Sequence, residues 1–178
     1  MAERMVVRVA GPEDAEAIGA VLRASYPKLM APAYPGDVLA RALPFMARAN
    51  PALLRSGTYY LAATPDGTVV GCGGWTFERP GEPDSAIDPT QGYLRHFATH
   101  PDRIRHGIGR ALYERCVAEA RAVGVQRFEC YASVVAQPFY AALGFVTVGP
   151  TTIELEPGLT FSGLRMICHL TERATDPP

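Results

Sequence analysis

The stretch from Gln91 to Gly124, QGYLRHFATHPDRIRHGIGRALYERCVAEARAVG, contains three local patterns in succession. Bulky residues at Tyr93, Leu94, His96 and Phe97 predict a strand, His100-Pro101-Asp102 breaks it, and Arg103, Arg105 and His106 lead into Gly107-Ile108-Gly109. From Ile108 the apolar residues Ala111, Leu112, Cys116, Ala120 and Val123 follow at steps of three, one, four, four and three, which keeps them on one side of a helical cylinder. Arg110, Glu114, Arg115, Glu119 and Arg121 take the other side, with Arg110/Glu114 and Arg115/Glu119 four apart and placed to pair. Gly124 ends the helix, because glycine accepts the left-handed conformation of a C-terminal cap. The unit is strand, basic glycine turn, helix.

The turn carries the chemistry. The first turn of a helix has backbone N–H groups without intrahelical partners and the positive end of the helix dipole, and glycines let an anion approach without meeting a Cβ. The dipole contributes only about 0.3–1 kcal/mol. Hydrogen bonds to charged groups are worth roughly 1.5–3 kcal/mol each, so several converging amides hold a pyrophosphate and outweigh the basic side chains. The stretch lacks the lysine and hydroxyl residue of GxxxxGK[ST], and Leu112 stands where GxGxxG needs its last glycine. Neither phosphate fingerprint fits.

Ile104-Arg105-His106-Gly107-Ile108-Gly109, opening a long helix after a strand and a proline, resembles the acyl-CoA motif [Gln/Arg]-x-x-Gly-x-[Gly/Ala] of the GCN5-related N-acetyltransferases, the GNAT superfamily. Ile104 takes the place of the motif's Gln or Arg, with Arg103 and Arg105 beside it. Downstream, Phe139-Tyr140-Ala141-Ala142-Leu143-Gly144-Phe145 matches the family's FYxxLGF signature, with Ala136 three residues before it. The resemblance covers residues 57–149 well and the rest loosely. It implies a single α+β (α/β) domain over residues 1–178, a mixed and mostly antiparallel sheet of about six or seven strands flanked by helices, with a splayed central strand pair.

The activity implied by the resemblance is transfer of an acetyl group from acetyl-CoA to a primary amine, by direct attack through a tetrahedral intermediate. The pantetheine arm would pair with main-chain groups near Phe97 and Thr99, as a peptide adds to a sheet edge, with an amide of Phe97 or Ala98 at the thioester oxygen. The amides of Arg105, His106, Gly107, Ile108, Gly109 and Arg110 would receive the pyrophosphate. Tyr140 matches the family tyrosine that donates a proton to the departing sulfur, with an ordinary core or CoA-packing tyrosine as the alternative. Ser133, seven residues before Tyr140 where many relatives carry Asn, either touches the pantetheine or caps the short helix.

An amine with a lysine-like pKa of about 10.4 is protonated at neutral pH, so the reaction needs a proton acceptor. Three residues are candidates: Glu129 on the strand facing the CoA cleft, with a solvated strand carboxylate as the alternative; Glu78 at the end of the glycine-rich strand; and His96, whose side-chain type titrates in the right range. A water chain is a fourth route. The rival to an enzyme is a non-catalytic acyl-CoA-binding sensor, and the retained Tyr140 separates the two. A serine hydrolase is disfavoured because no Gly-x-Ser-x-Gly occurs.

Composition bounds the partners. With 178 residues, 48% of them hydrophobic, and a net charge of −1, the chain suits one globular domain without general attraction to nucleic acid or anionic membrane. No apolar run approaches the roughly 20 residues of a membrane span and no signal-peptide core follows Met1-Ala2-Glu3-Arg4, so the cytoplasm is expected. Cys72, Cys116, Cys130 and Cys168 are scattered and read as small core residues, and no metal site is expected. The slight acidity gives a faint preference for a cationic acceptor, and the late strands suggest a homodimer contact.

Along the rest of the chain, Met5 to Val9 reads as a strand and Gly11-Pro12-Glu13-Asp14 starts a helix reaching about Tyr26. Pro27, Pro32 and Pro35 break the next segment before a second helix over about 37–49, a region where GNAT-like chains cover the acceptor. Thr58 to Ala63 and Thr68 to Phe77 form a hairpin around Pro65-Asp66-Gly67, and Gly71, Gly73 and Gly74 predict a bulge or close backbone approach. Residues 78–90 read as a polar loop, either plain surface or a border of the acceptor site. Gln126 to Ala132 is a strand, Ala136 to Leu143 a short helix, Phe145 to Val148 and Leu164 to Leu170 late strands, and 173–178 a frayed tail.

Overall fold

The computed structural model describes residues 5–170, and the expected tail at 173–178 lies outside them. Seven strands form one sheet: β1 (Val6–Val9), β2 (Tyr59–Ala63), β3 (Val69–Thr76), β4 (Gln91–Thr99), β5 (Arg127–Ala132), β6 (Val146–Glu156) and β7 (Leu159–His169), in the order β1-β2-β3-β4-β5-β7-β6. Every neighbouring pair is antiparallel except β4 and β5, which run parallel. A parallel pair needs a crossover. That crossover is α4 (Ile108–Ala122), the helix read from the glycine turn.

The helix lies where its apolar stripe sends it. Ile108, Leu112, Cys116 and Ala120 are buried against Leu94, Phe128, Cys130 and Met166 on one sheet face. Val123 does not join them: it is 57% exposed, because it sits at the cap, where the backbone has left the helical path that the spacing assumed. Arg115 and Glu119 pair on the outer face at 2.9 Å, and Gly124 ends the helix at φ +90°. All four cysteines are free and buried.

The other face is covered by α1 (Ala15–Met30), α2 (Gly36–Met46) and α3 (Pro51–Ser56). Ile18, Val21 and Leu22 of α1 pack on Tyr59, Leu61 and Cys72. The helix was expected to stop near Tyr26. It continues through Pro27 to Met30, because Pro27 forfeits one bond on the half-exposed turn while Met30, with Tyr34, Leu39 and Ala42, is buried against Phe161 of β7. α2 ends at Met46, short of the expected 49, and Asn50 starts the unpredicted α3, its side chain accepting the Ala52 N–H at 2.9 Å. The Asn50-Pro51 pair is a legible helix start in retrospect.

The late strands are longer than expected. β6 and β7 are each 11 residues and form one hairpin that includes 149–163, beyond the expected strands at Phe145 to Val148 and Leu164 to Leu170. The signal is the alternation of half-buried Thr151, Ile153 and Leu155 with exposed Thr152, Glu154 and Glu156. Its prolines are tolerated because β6 is an edge strand.

The glycines of β3 do what their density implied. Cys72 faces Ala98 and Gly74 faces Arg95, so Gly73 alone opposes His96 and Phe97, a bulge in β4 with His96 at φ +49°. A Cβ on Gly73 would lie 2.7 Å from the Phe97 ring, and one on Gly71 would lie 2.5 Å from Ile108 Cγ2 at the start of α4. No helix among the described residues is long and apolar enough to cross a membrane.

Candidate active site

The parallel pair separates early. β4 and β5 are joined only through Gln91/Arg127, Gly92/Phe128 and Tyr93/Glu129; beyond these, residues 94–99 and 130–132 diverge. Between them opens a cleft of about 1630 Å³, lined by the glycine turn at one end and by α1, α2 and the β6–β7 hairpin at the other. That is more than the roughly 300–1,000 Å³ of a single small-ligand pocket.

The turn has the geometry of an anion cradle. Gly107 caps α4 at φ +78°, and the first helical bond runs from the Ala111 N–H to the Gly107 carbonyl at 2.9 Å, so the N–H groups of Ile108, Gly109 and Arg110 carry no intrahelical bond. Arg105 also takes a positive φ, +65°, a conformation costing an L-residue roughly 1–2 kcal/mol. The resulting sequence of left-handed residues curves the backbone around a concave row of amides. Arg105, Gly107, Ile108, Gly109 and Arg110 all line the cleft. His106 does not; its exposed ring turns back, with Nδ1 2.9 Å from the Ile104 carbonyl. Ile104 itself lines the cleft at 44% exposure.

Phe97, Ala98, Thr99, His96, Ser133 and Tyr140 line the same cleft. The Phe97 carbonyl accepts the Tyr26 hydroxyl at 3.3 Å and the His96 carbonyl accepts the Tyr59 hydroxyl at 2.9 Å, which ties the bulge to α1 and β2. The Ser133 hydroxyl makes no capping bond, so its capping alternative falls. Tyr140, on α5 (Gln137–Ala142), is 7% exposed among Phe97, Phe139 and Phe145, whose ring centroids lie 6.4, 5.0 and 5.5 Å away. Burial, with nearby Cys130, Tyr26 and Cys116, pushes its phenol well above the usual 10, so the hydroxyl keeps its proton.

The three base candidates separate. Glu129 is no solvated carboxylate: it is 1% exposed, and Arg165 grips both oxygens at 2.6 and 3.0 Å. Burial alone would raise its pKa, but the hydrogen bonds and charge of Arg165 hold it below the usual carboxylate range. Glu78 is exposed, and neither glutamate lines the cleft. His96 does, with Nδ1 buried and without a hydrogen-bond partner, and burial beside Arg95 lowers its pKa to about 4.

Sequence reasoning missed the arginines. Arg79, Arg95 and Arg165 come from a loop and two distant strands, and only the pairing of Tyr93 with Glu129 and of Tyr131 with Arg165 brings them to one sheet face. No local pattern announces this. Of the two readings of the loop at 78–90, plain surface or border of the acceptor site, its start fits the second: Arg79 to Glu82 border the cleft, with Arg79 donating to the Tyr93 hydroxyl at 3.4 Å. Among the described residues no group of three or more His, Cys, Asp or Glu side chains is placed to hold a metal ion.

A strand pair that splays beside a glycine-capped helix, with a buried tyrosine lining the same cleft, is the arrangement that the resemblance to the GNAT superfamily implied. The chain belongs to the acetyltransferase (GNAT) family, whose sequence model matches residues 24–145. Among solved structures it is similar to a GCN5-related N-acetyltransferase of Rhodopseudomonas palustris, with a TM-score of 0.71 and 23% identity over 95% of this chain and 98% of that one. It is also similar to the PaiA N-acetyltransferase of Thermoplasma acidophilum in complex with coenzyme A, with a TM-score of 0.70 and 17% identity over 93% and 99%. A third is Rv2747 of Mycobacterium tuberculosis, also in complex with CoA, with a TM-score of 0.60 and 23% identity over 93% and 99%. No curated protein sequence matches the chain.

Proposed function

We propose that the protein transfers an acetyl group from acetyl-CoA to a primary amine by direct attack. The observation that carries this is the divergence of β4 from β5 after Tyr93/Glu129, which leaves a strand edge, a cradle of free amides and a buried phenol facing one cleft. The amides at 105–110 hold the pyrophosphate, with the His106 side chain taking no part; the edge at Phe97, Ala98 and Thr99 aligns the pantetheine, and Ser133 contacts it from the facing strand.

The amine nitrogen bonds to the acetyl carbonyl carbon, and the oxygen takes the electron pair. An amide at the β4 bulge stabilises that oxyanion. Collapse breaks the C–S bond, and the sulfur leaves with the pair and takes a proton from Tyr140. A phenol held above 10 gives up its proton only as negative charge builds on the sulfur, so the transfer accompanies C–S cleavage.

The proton on the attacking nitrogen becomes much more acidic once the new bond forms. His96, neutral and unpartnered at Nδ1, receives it; Glu129 acts by fixing Arg165, and Glu78 takes no part. Calorimetric titration of acetyl-CoA and CoA, with a thiol-release assay over a panel of amines, tests the proposal. Micromolar binding with amine-dependent thiol release is expected. No binding overturns it, and binding without release by any amine favours the sensor.

A further inference from the structure

The acceptor end of the cleft is rich in arginine. Tyr93 and Glu129, and Tyr131 and Arg165, are register partners, and Arg95 follows Tyr93 by two residues, so all lie on the sheet face that α1 and α2 cover. Arg79 reaches the same place, its guanidinium carbon 5.9 Å from the Tyr93 ring centroid. Against these three cations stands one buried carboxylate, Glu129, already held on both oxygens by Arg165. Glu82, 3.6 Å from Arg79, and Glu154 also line the cleft but are exposed, and Glu78 is exposed outside it.

Arg95 has no close ion-pair partner among the described residues, and the exposed Glu78 acts on it only as a more distant charge. Arg95 is half-buried, lines the cleft, and donates to the Thr76 hydroxyl at 3.0 Å, with no carboxylate within 4.0 Å among the described residues. A guanidinium has five N–H donors in a planar fork, and burying a cation without an anion is costly. The opposite wall is mostly apolar: Leu29, Met30, Phe45, Met46, Ile153 and Phe161 line it, with Arg48, Thr151, Thr152 and Glu154 as its polar members.

We infer that the acceptor amine carries a carboxylate, received by Arg95, and an aliphatic or aromatic side group seated on the α1–α2 wall, which makes it an apolar amino acid. This rests on the transferase reading above. It replaces the cationic acceptor that the slight overall acidity favoured: the covered sheet face presents three guanidiniums, and its buried carboxylate, Glu129, is already held by Arg165. The same guanidiniums act on the substrate's ammonium, since a nearby like charge disfavours the protonated form. The neutral nucleophile is thereby favoured in a site without a strong base.

The test pairs ligands differing only in the carboxylate. Thiol release is compared for phenylalanine against phenethylamine and leucine against 3-methylbutylamine, and N-acetylphenylalanine and N-phenethylacetamide are titrated into the CoA-loaded protein. The carboxylate-bearing member is expected to win tenfold or more in kcat/KM and in affinity. Arg95→Gln should erase that preference through KM while the acetyl-CoA Kd holds; if that variant does not fold, Arg95→Lys should retain part of it. Equal binding, preference for the carboxylate-free member, binding of neither, or a preference that survives Arg95→Gln overturns the inference. Parallel acetyl-CoA titration separates the failures: normal acetyl-CoA binding without carboxylate preference overturns this inference alone, and loss of acetyl-CoA binding overturns the transferase reading beneath it.

Discussion

Gly109 and Phe139 touch at a distance that leaves no room for a side chain: a Cβ on Gly109 would stand 2.7 Å from Cε2 of the Phe139 ring. The second glycine of the anion turn and the first aromatic of the FYxxLGF segment, 30 residues apart, are therefore one packing unit. The ring supports the helix start from below while the amides above stay open.

Gly109→Ala should push α4 away from α5. An overpacked contact costs about 1–3 kcal/mol, and for a domain of this size that lowers Tm by roughly 2–12 °C. Because the displaced backbone is the cradle, acetyl-CoA affinity should fall too. Thermal unfolding and titration measure both, and a variant with unchanged Kd would show that the cradle does not depend on this contact.

Tyr140→Phe keeps the ring among Phe97, Phe139 and Phe145 and removes only the hydroxyl. Loss of a general acid costs about 10²–10⁴ in rate. We expect kcat to drop by about 10²-fold with acetyl-CoA affinity little changed. Unaltered kcat would take the acid role from Tyr140.

His96, with its pKa lowered to about 4, is neutral across the working range. The profile of kcat/KM should therefore rise with pH toward the pKa of the acceptor amine, with no inflection near the usual imidazole value of about 6.5. His96→Gln should lower the rate without moving the profile. An inflection near 6.5 that disappears in the variant would show that the imidazole titrates normally.

Glu129 and Arg165 join β5 to β7, and Asp14 and Arg8 join the start of α1 to β1 through bonds of 2.7 and 2.9 Å. Both acids have folded pKa values below their unfolded ones: Asp14 through its hydrogen bonds to Arg8, and Glu129 because Arg165 overcomes its burial. Their stabilisation is thus fully present above the unfolded values of about 4, and is lost as pH falls through the lower folded values. Chemical denaturation at pH 7 and at pH 3 should show the loss. Arg165→Ala, which strands a carboxylate 1% exposed, should cost about 3 kcal/mol at pH 7 and much less at pH 3; an equal cost at both would mean that the pair contributes packing, not charge.

Much of this was legible in the chain. The β4–turn–α4 unit could be read because its signals are local: helical spacing from Ile108 to Ala120, glycines at 107 and 109, and a stop at Gly124. The β3 glycines announced a close approach for the same reason, since a missing Cβ is itself the signal. The β6–β7 hairpin was half hidden because its turn-forming residues masked the alternation, and the run of α1 through Pro27 was invisible because burial of Met30 against Phe161, far along the chain, offsets the lost bond.

The sequence by itself determined the order of elements, the glycine turn and the tyrosine that would face it, because each depends on a residue and its near neighbours. Only the tertiary structure decided what surrounds the reaction. Which side of β4 an arginine faces follows from strand register and from the bulge at His96, and these are set by pairing between residues 20 to 40 positions apart. A carboxylate that reads as solvated can be enclosed by such pairing, as Glu129 is by Arg165, and arginines far apart in the chain can meet in one cleft, because side-chain charge acts through space and not along the backbone.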